Sequence, residues 1–345
     1  MEENILFYSI IIPVYNNKFT DVQRCLDSIY CKILTNFEVL LMDDGSEIEC
    51  ANALDKLIKR YSCARVFHLP HGGAAQARNQ GILRAKGVYI CFCDADDYVT
   101  KQFLMDLENY KKSKVKYDVV YGLVTAVRGK CMRMENSPIL SLHAITCKEY
   151  CELYRHMFDL GAKFFRKEIG YVSRGPVARI VKRKVAEKNL FNPDLVLGED
   201  ELWNLDLLEA TNKLAVVYHS WYFYVYNPMS TSHKPNSKFV KQHRDLLVSM
   251  LPYMKKHEGS LEGAFANRVF ESLHEIIKGY YLTPLNQNSF LRNIKEFNET
   301  IKKYPYTTIT YKYAKRGGIK TFVKFILMKT KMLFIGYRMK SILKK

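Results

Sequence analysis

The sequence predicts an α/β fold: a mixed, mainly parallel sheet wrapped by helices, with a C-terminal helical extension. Three observations carry this expectation. Short apolar, β-branched runs alternate with amphipathic stretches over about the first hundred residues, and strands separated by helical patterns build βαβ units. The runs are apolar nearly throughout, as strands buried on both faces require. Beyond about residue 237 strand patterns give way to helical periodicity.

Taken in order, Tyr8 to Tyr15 is the first strand run and Phe37 to Met42 the second. Arg65 to Leu69 and Val88 to Cys93 follow, with amphipathic stretches at 21–33, 48–61 and 74–86 between them. From about 115 to 195 the pattern is less regular, with Asp118 to Val124 as a further strand. Helical periodicity then carries Leu202, Leu205 and Leu208, and Tyr218 to Tyr226 is an aromatic-rich strand ending at Asn227-Pro228. The helical extension breaks near Gly259, Pro284 and Pro305. With no internal repeat or low-complexity linker, the simplest organisation is a domain over 1–235 and a helical region over 236–345 with a basic amphipathic tail.

A net charge of +18 favours anionic partners and is silent on fold. The nine cysteines are odd in number, form no CxxC pair and lie mostly in apolar runs, which reads as reduced thiols of a cytoplasmic protein. Cys91 and Cys93 flank Phe92 in a strand and would share one face, as packing groups rather than zinc ligands. The N-terminus lacks the basic start and cleavage site of a signal peptide, and no apolar run reaches the length of about 18 residues that a spanning helix needs.

Three polar loops follow strands one, two and four: Asn16-Asn17, Asp43-Asp44-Gly45-Ser46 and Asp94-Ala95-Asp96-Asp97. Ligands of open α/β sheets sit outside the carboxyl ends of the strands, so these loops make one coherent site. Clustered carboxylates repel unless a cation shares their charge, and Mg²⁺ or Mn²⁺ suits oxygen ligands supplemented by substrate phosphates. The competing reading is an acidic turn capping the next helix, with Asp97 or Thr100 as N-cap. At the second loop a carboxylate could accept a hydrogen bond from a uracil imide; an Asp-Gly turn with Ser46 as N-cap would also satisfy the sequence. Gly72-Gly73-Ala74-Ala75 opens a helix where small residues admit a phosphate, and Arg78 can add a charge-assisted contact. Glu199-Asp200-Glu201 is either helix N-terminal charge or a second functional acidic group.

The order Pro13-Val14-Tyr15-Asn16, Asp43 to Ser46, Gly73 to Arg78-Asn79, Asp94 to Asp97 and Glu199-Asp200 resembles the inverting family 2 glycosyltransferases of bacterial cell-surface polysaccharide synthesis. The resemblance is dense over 8–98 and patchier to about 232. It implies the GT-A fold, a Rossmann-like architecture for nucleotide-diphospho-sugar transferases. It further implies that Pro13, Tyr15 and Asp44 border the nucleobase and that Arg78 lies by the donor. His71, where relatives often carry Asn, would contact base or ribose. Asp94 would approach the ribose, Asp96 would bind the metal bridging the diphosphate, and Asp200 would be the catalytic base with Glu199 as its acidic neighbour. The aromatic, Asn, Lys run that often precedes the base is replaced by Pro176-Val177-Ala178-Arg179, where Arg179 retains a positive charge. Val225 stands where an Arg is common.

At a helix start the dipole should favour the charged form of Asp200, keeping it ready as a proton acceptor while lowering its basicity. His219 and His233 flank the aromatic strand and serve either a metal or pyrophosphate site or ordinary packing. Trp221, Tyr222 and Tyr224 form either a sugar-stacking platform or, in part, core.

From Lys312 to Lys345 there is no Asp or Glu, and Lys and Arg interleave with apolar residues. Such a helix suits an anionic membrane surface at the inner face of the cell membrane, or else packs on the core with a solvated basic face. The sequence therefore predicts a UDP-linked sugar donor, a Mg²⁺ or Mn²⁺ ion and a glycan or lipid-linked acceptor. A nucleotidyltransferase is the rival enzyme class. A basic nucleic-acid-binding protein is the non-enzymatic one, disfavoured because no nucleic-acid module is recognised.

Overall fold

The computed structural model describes residues 6–127, 137–159, 166–226, 238–283 and 286–342. Cys131, Asn227, Pro228, His233 and Pro284 lie outside the described residues. The chain divides into two compact units, residues 1–150 with 165–226 and residues 151–164 with 227–345.

In the first unit β1 (Tyr8–Val14), α1 (Phe19–Ile29), β2 (Phe37–Asp43), α2 (Ile48–Ile58), β3 (Ala64–His68), α3 (Gly73–Arg84) and β4 (Tyr89–Phe92) alternate as the apolar pattern requires. Then come β5 (Tyr98–Val99), α4 (Lys101–Lys112), β6 (Val119–Val127), β7 (His143–Ala144), α5 (Cys147–Phe158), whose residues from Cys151 onward belong to the second unit, β8 (Arg166–Lys167) and β9 (Gly170–Tyr171). The unit ends with β10 (Arg179–Lys182), α6 (Arg183–Ala186), α7 (Glu199–Ala210) and β11 (Leu214–Val225).

The main path of the sheet runs β3-β2-β1-β4-β10-β6-β11-β5. β1, β2, β3 and β4 are parallel, β10 is antiparallel to both β4 and β6, and β11 runs parallel to β6. The expected α/β class is the one observed.

Ile10 and Ile12 of β1 pack with Val39 and Leu41 of β2 and with Val22, Cys25, Leu26 and Ile29 of α1, a helix stripe at the 3.6-residue period. Cys91 and Cys93 lie in this same core, and the Cys93 and Cys25 sulfurs are 3.4 Å apart as free thiols. On the opposite face α3 approaches β1 closely, because a Cβ at Gly81 would collide with the Ile11 side chain. Arg78 and Asn79 of the same helix are buried, reaching Asp94 after β4 and the Phe191 backbone respectively. β11 begins at Leu214, earlier than the aromatic run alone suggested, because Leu214 to Val217 are also buried.

The second unit contains α8 (Phe239–Lys256), α9 (Glu262–Ile276) and α10 (Phe290–Ile301), with α9 continuing into a π-helical turn at Ile277–Tyr281. A 3₁₀ turn at Tyr306–Thr308, α11 (Tyr311–Arg316), α12 (Ile319–Lys329) and α13 (Leu333–Ile342) complete it. The tail combines features of both readings of its sequence. Phe325, Met328, Leu333 and Phe334 are buried, with Phe334 ringed by Tyr281, Phe290 and Phe297 at 5.5–5.8 Å between centroids. Ile319, Val323 and Ile326 of α12 stay exposed. Among the described residues no helix is long and apolar enough to cross a membrane.

Candidate active site

β1, β2 and β4 end side by side, and their loops carry the predicted residues to one edge of the sheet. Asn16 ties the first two loops together: its N–H donates to Ser46 Oγ (2.9 Å), and its Oδ1 accepts from Glu47 N (2.8 Å). Ser46 is therefore a loop link rather than the N-cap of α2; that position is Glu47, whose side chain makes no capping bond. Pro13 stands in register with Met42 at the ends of β1 and β2.

Asp44 is buried and fully engaged. Gly72 N and Gly73 N donate to its two carboxylate oxygens at 2.8 and 2.9 Å, and His71 Nδ1 lies 2.9 Å from Oδ2. The first amides of α3, read from sequence as a phosphate cradle, are thus given to Asp44, the anion nearest a helix N-terminus in need of one. His71 in turn stacks on Tyr15 at 4.5 Å with 24° between the rings. Both rings are substantially exposed and form a flat aromatic step above Asp44.

Arg78 is the electrostatic centre. Its buried guanidinium reaches Asp94 Oδ1 (3.1 Å) from Nη2 and Glu199 Oε1 (3.4 Å) from Nη1, and lies 5.5 Å from the Phe191 ring centroid. Its neighbour Asn79 brackets the Phe191 backbone: Nδ2 donates to the carbonyl and Oδ1 accepts from the amide, both at 2.8 Å. α3 thereby joins the acidic loop after β4 to the segment leading into α7.

Within the Asp94–Asp97 loop the three carboxylates differ. Asp97 is buried and structural: Tyr222 Oη and Val225 N donate to it at 2.9 and 2.7 Å, and burial pushes its carboxyl up to about 8. Thr100, as the capping reading allowed, is the N-cap of α4, accepting from Phe103 N. Asp94 keeps about a third of its side chain exposed. Burial and then the charge of Asp94 raise the Asp96 carboxyl. Arg24 donates to the Asp96 carbonyl rather than to its carboxylate. Among the described residues no group of three or more His, Cys, Asp or Glu forms a cation cage. Asp94 and Asp96 are a small, oxygen-only donor set whose mutual repulsion a divalent cation would relieve, which fits Mg²⁺ or Mn²⁺ completed by phosphate oxygens.

Asp200 is the second residue of α7. Its Oδ1 accepts from Glu201 N at 2.8 Å, whereas Oδ2 has no hydrogen-bond partner in another described residue. The helix dipole, expected to lower its basicity, is outweighed: burial raises the Asp200 carboxyl despite the opposing charge of Arg78. Glu199 is likewise raised, to about 7, by burial and by Asp200. The positive charge of Arg179 is spent inside the protein. Its guanidinium donates to the carbonyls of Ser173 (2.8 Å) and Gly175 and to Asn204 Oδ1, and covers the Tyr121 ring at 5.0 Å.

His219 is drawn away from the site, 2.8 Å from the fully buried Asp106 of α4, which also accepts from Trp221 Nε1 at 2.7 Å. Trp221 and Tyr222 are core, which removes them from a stacking platform; Tyr224 is partly exposed, and burial first, then the acidic loop's charges, raise its phenol. Arg24, Phe191 and Asn204 support the site without having been singled out, whereas Asn79 stood in the Gly73 to Asn79 motif without a role of its own. Their only sequence signal is a polar residue inside a helical stripe, or an aromatic before the Glu199-Asp200 pair.

The sequence model of the family "Glycosyl transferase family 2" matches residues 9–188, more than half of the chain. The chain belongs to this family. It is 28% identical over 238 residues to the "Uncharacterized glycosyltransferase EpsJ" of Bacillus subtilis, a match covering 68% of this chain and 65% of that protein. It is 25% identical over 277 residues to the poly(ribitol-phosphate) beta-glucosyltransferase of Bacillus spizizenii, covering 76% of this chain and 40% of that protein. Each match spans less than two thirds of the relative's own length. Among solved structures, Staphylococcus aureus TarS 1-349 in complex with UDP-GlcNAc superposes with a TM-score of 0.63 at 16% identity, covering 96% of this chain and 89% of that one. GalNAc-T7 with UDP, GalNAc and Mn²⁺ gives 0.51 at 17% identity, covering 89% and 58%. The likeness establishes the GT-A fold that the motif order implied.

Proposed function

We propose that the chain transfers a sugar from a UDP-linked donor to a hydroxyl of a glycan or lipid-linked acceptor in cell-surface polysaccharide synthesis, with inversion and with Mg²⁺ or Mn²⁺. The observation that carries this reading is the convergence of Arg78 on Asp94 and Glu199, which brings the donor loop and the Asp200 helix to one point. Tyr15 and His71 offer a ring face to the base, Asp44 holds the turn beneath it, and Asp94 stands toward the ribose. The metal, held by Asp96 with help from Asp94, would neutralise charge growing on the departing diphosphate. Asp200 Oδ2 takes the proton from the acceptor hydroxyl as its oxygen bonds to the anomeric carbon and the bond to the diphosphate breaks. A raised carboxyl is the better base for this step. Arg78 adds a fixed positive charge near the leaving group.

The α12 face of Ile319, Val323 and Ile326, set among lysines, supports attachment to an anionic membrane at its cytoplasmic surface. Supplying the protein with Mn²⁺ and a panel of nucleotide-sugars, read by thermal shift and by nucleotide release, tests the reading. Stabilisation by a UDP-sugar with release of UDP supports it. Release of pyrophosphate would move the assignment to a nucleotidyltransferase.

A further inference from the structure

The segment Ser173-Arg174-Gly175 passes directly over the end of α7, and two buried side chains hold it there. Arg179 donates to the carbonyls of Ser173 and Gly175, while Asn204 Nδ2 donates to the carbonyls of Arg174 and, at 2.9 Å, Asp200. Asn204 Oδ1 accepts from Arg179, so the two side chains form one clamp joining the segment to the first turn of α7. Gly175 N donates to Ser173 Oγ (2.9 Å), which fixes the turn from within.

The clamp gives position 175 a particular relation to the carboxylate. Asp200 Oδ1 is committed to Glu201 N, and Oδ2 is the oxygen left over. A Cβ at position 175 would lie 3.5 Å from Oδ2, in van der Waals contact, and 3.2 Å from Ser173 Oγ. Gly175 is itself only partly buried. Glycine at this one position therefore keeps the space beside Oδ2 clear of a Cβ.

We propose that Gly175 is the window through which the acceptor hydroxyl reaches Asp200, and that the 173–175 segment, positioned by Arg179 and Asn204, is the acceptor-facing wall of the site. This rests on the reading of Asp200 as base. The wall sets acceptor choice by size: a small alcohol or water passes a partly closed window, whereas a sugar hydroxyl carried on a ring does not.

The test uses the full chain with Gly175→Ala and Gly175→Val. Access is read without any donor, by carbodiimide and glycine ethyl ester labelling of Asp200 followed by mass spectrometry, with exposed Asp55 as internal reference. Gly175→Val is expected to slow Asp200 labelling by about tenfold relative to Asp55, with Gly175→Ala intermediate. In parallel, UDP release from UDP-glucose and UDP-N-acetylglucosamine is followed in water alone and with glycerol or methyl glucoside as acceptor. The ratio of methyl glucoside transfer to hydrolysis should fall by about tenfold in Gly175→Val, a split that general destabilisation would not produce. Equal labelling of wild type and both variants overturns the window. Asp200→Asn separates the two claims: if it retains transfer, the base reading fails, and labelling still decides access. If it abolishes transfer while the Gly175 variants behave as wild type, the window alone fails.

Discussion

Arg78 and Asp94 form an ion pair of 3.1 Å in which the arginine is almost wholly buried and the aspartate one-third exposed. The pair links the helix that follows β3 to the loop that follows β4, so charge and architecture are coupled at the donor edge. Replacing Arg78 by Met leaves Asp94 and Glu199 without their cation. Urea unfolding should show a loss of about 2 kcal/mol, set below the usual range for a fully buried pair because Asp94 is partly solvated. Unchanged stability would show that solvent already screens the carboxylates.

Asp96→Ala and Asp200→Asn should separate binding from chemistry. The first is expected to weaken Mn²⁺-dependent UDP binding by about tenfold or more in calorimetry, since the proposed direct ligand is lost. The second should bind UDP as wild type does and lose transfer. Equal UDP affinity in Asp96→Ala would count against its metal role, and near-normal turnover in Asp200→Asn would remove it as base.

His243 supplies a pH dependence away from the site. Buried beside Arg268, and with Nδ1 3.0 Å from Ser272 Oγ, it is depressed from 6.5 to about 4, first by burial and then by the arginine's charge. A histidine held neutral in the fold takes up a proton on unfolding, so stability falls as pH drops from about 6.5 toward about 4. The contribution reaches about 3 kcal/mol at most, and comparing denaturation of wild type and His243→Gln across that window isolates it. Parallel curves would contradict the depressed value.

The tail calls for point substitution rather than truncation. Deleting residues after about 312 would strip Phe325, Met328, Leu333 and Phe334 from the helical unit and lose stability with the membrane face. Ile319→Ser combined with Val323→Ser and Ile326→Ser leaves those buried residues in place. Binding to vesicles with anionic lipid should fall by about tenfold while the melting temperature holds, because the removed apolar surface is already exposed. Undiminished vesicle binding would assign the face to another role.

The β1 side of the sheet was legible in the sequence because strands buried on both faces must be apolar nearly throughout, and β1, β2 and β4 are, apart from Ser9, Glu38 and Asp43. The same signal is missing from β10, four residues with a basic side chain at each end, and from two-residue β5. Their pairing depends on neighbours distant in the chain. Asp44, His71, Arg78, Asp94 and Asp96 were legible as types of residue at a strand edge. Their division of labour was not, because it follows from distances: which amides Asp44 fills, which carboxylates Arg78 reaches. The basicity of Asp200 was misjudged for a related reason. A helix start is visible in sequence, whereas depth of burial is a property of the packed chain, and here burial is the larger effect.

Because β10 enters antiparallel between β4 and β6, the parallel strands β1 to β4, which carry the loops proposed to bind the donor, form one contiguous stretch of the sheet. Changes of length or composition between β6 and β10 are expected to leave the pairing of β1 to β4 unaltered, since none of those residues lies between these strands. That arrangement makes the stretch a natural cassette: donor recognition can be inherited intact while acceptor preference diversifies, and a chimera joined within β6 and β10 should exchange the second property without disturbing the first.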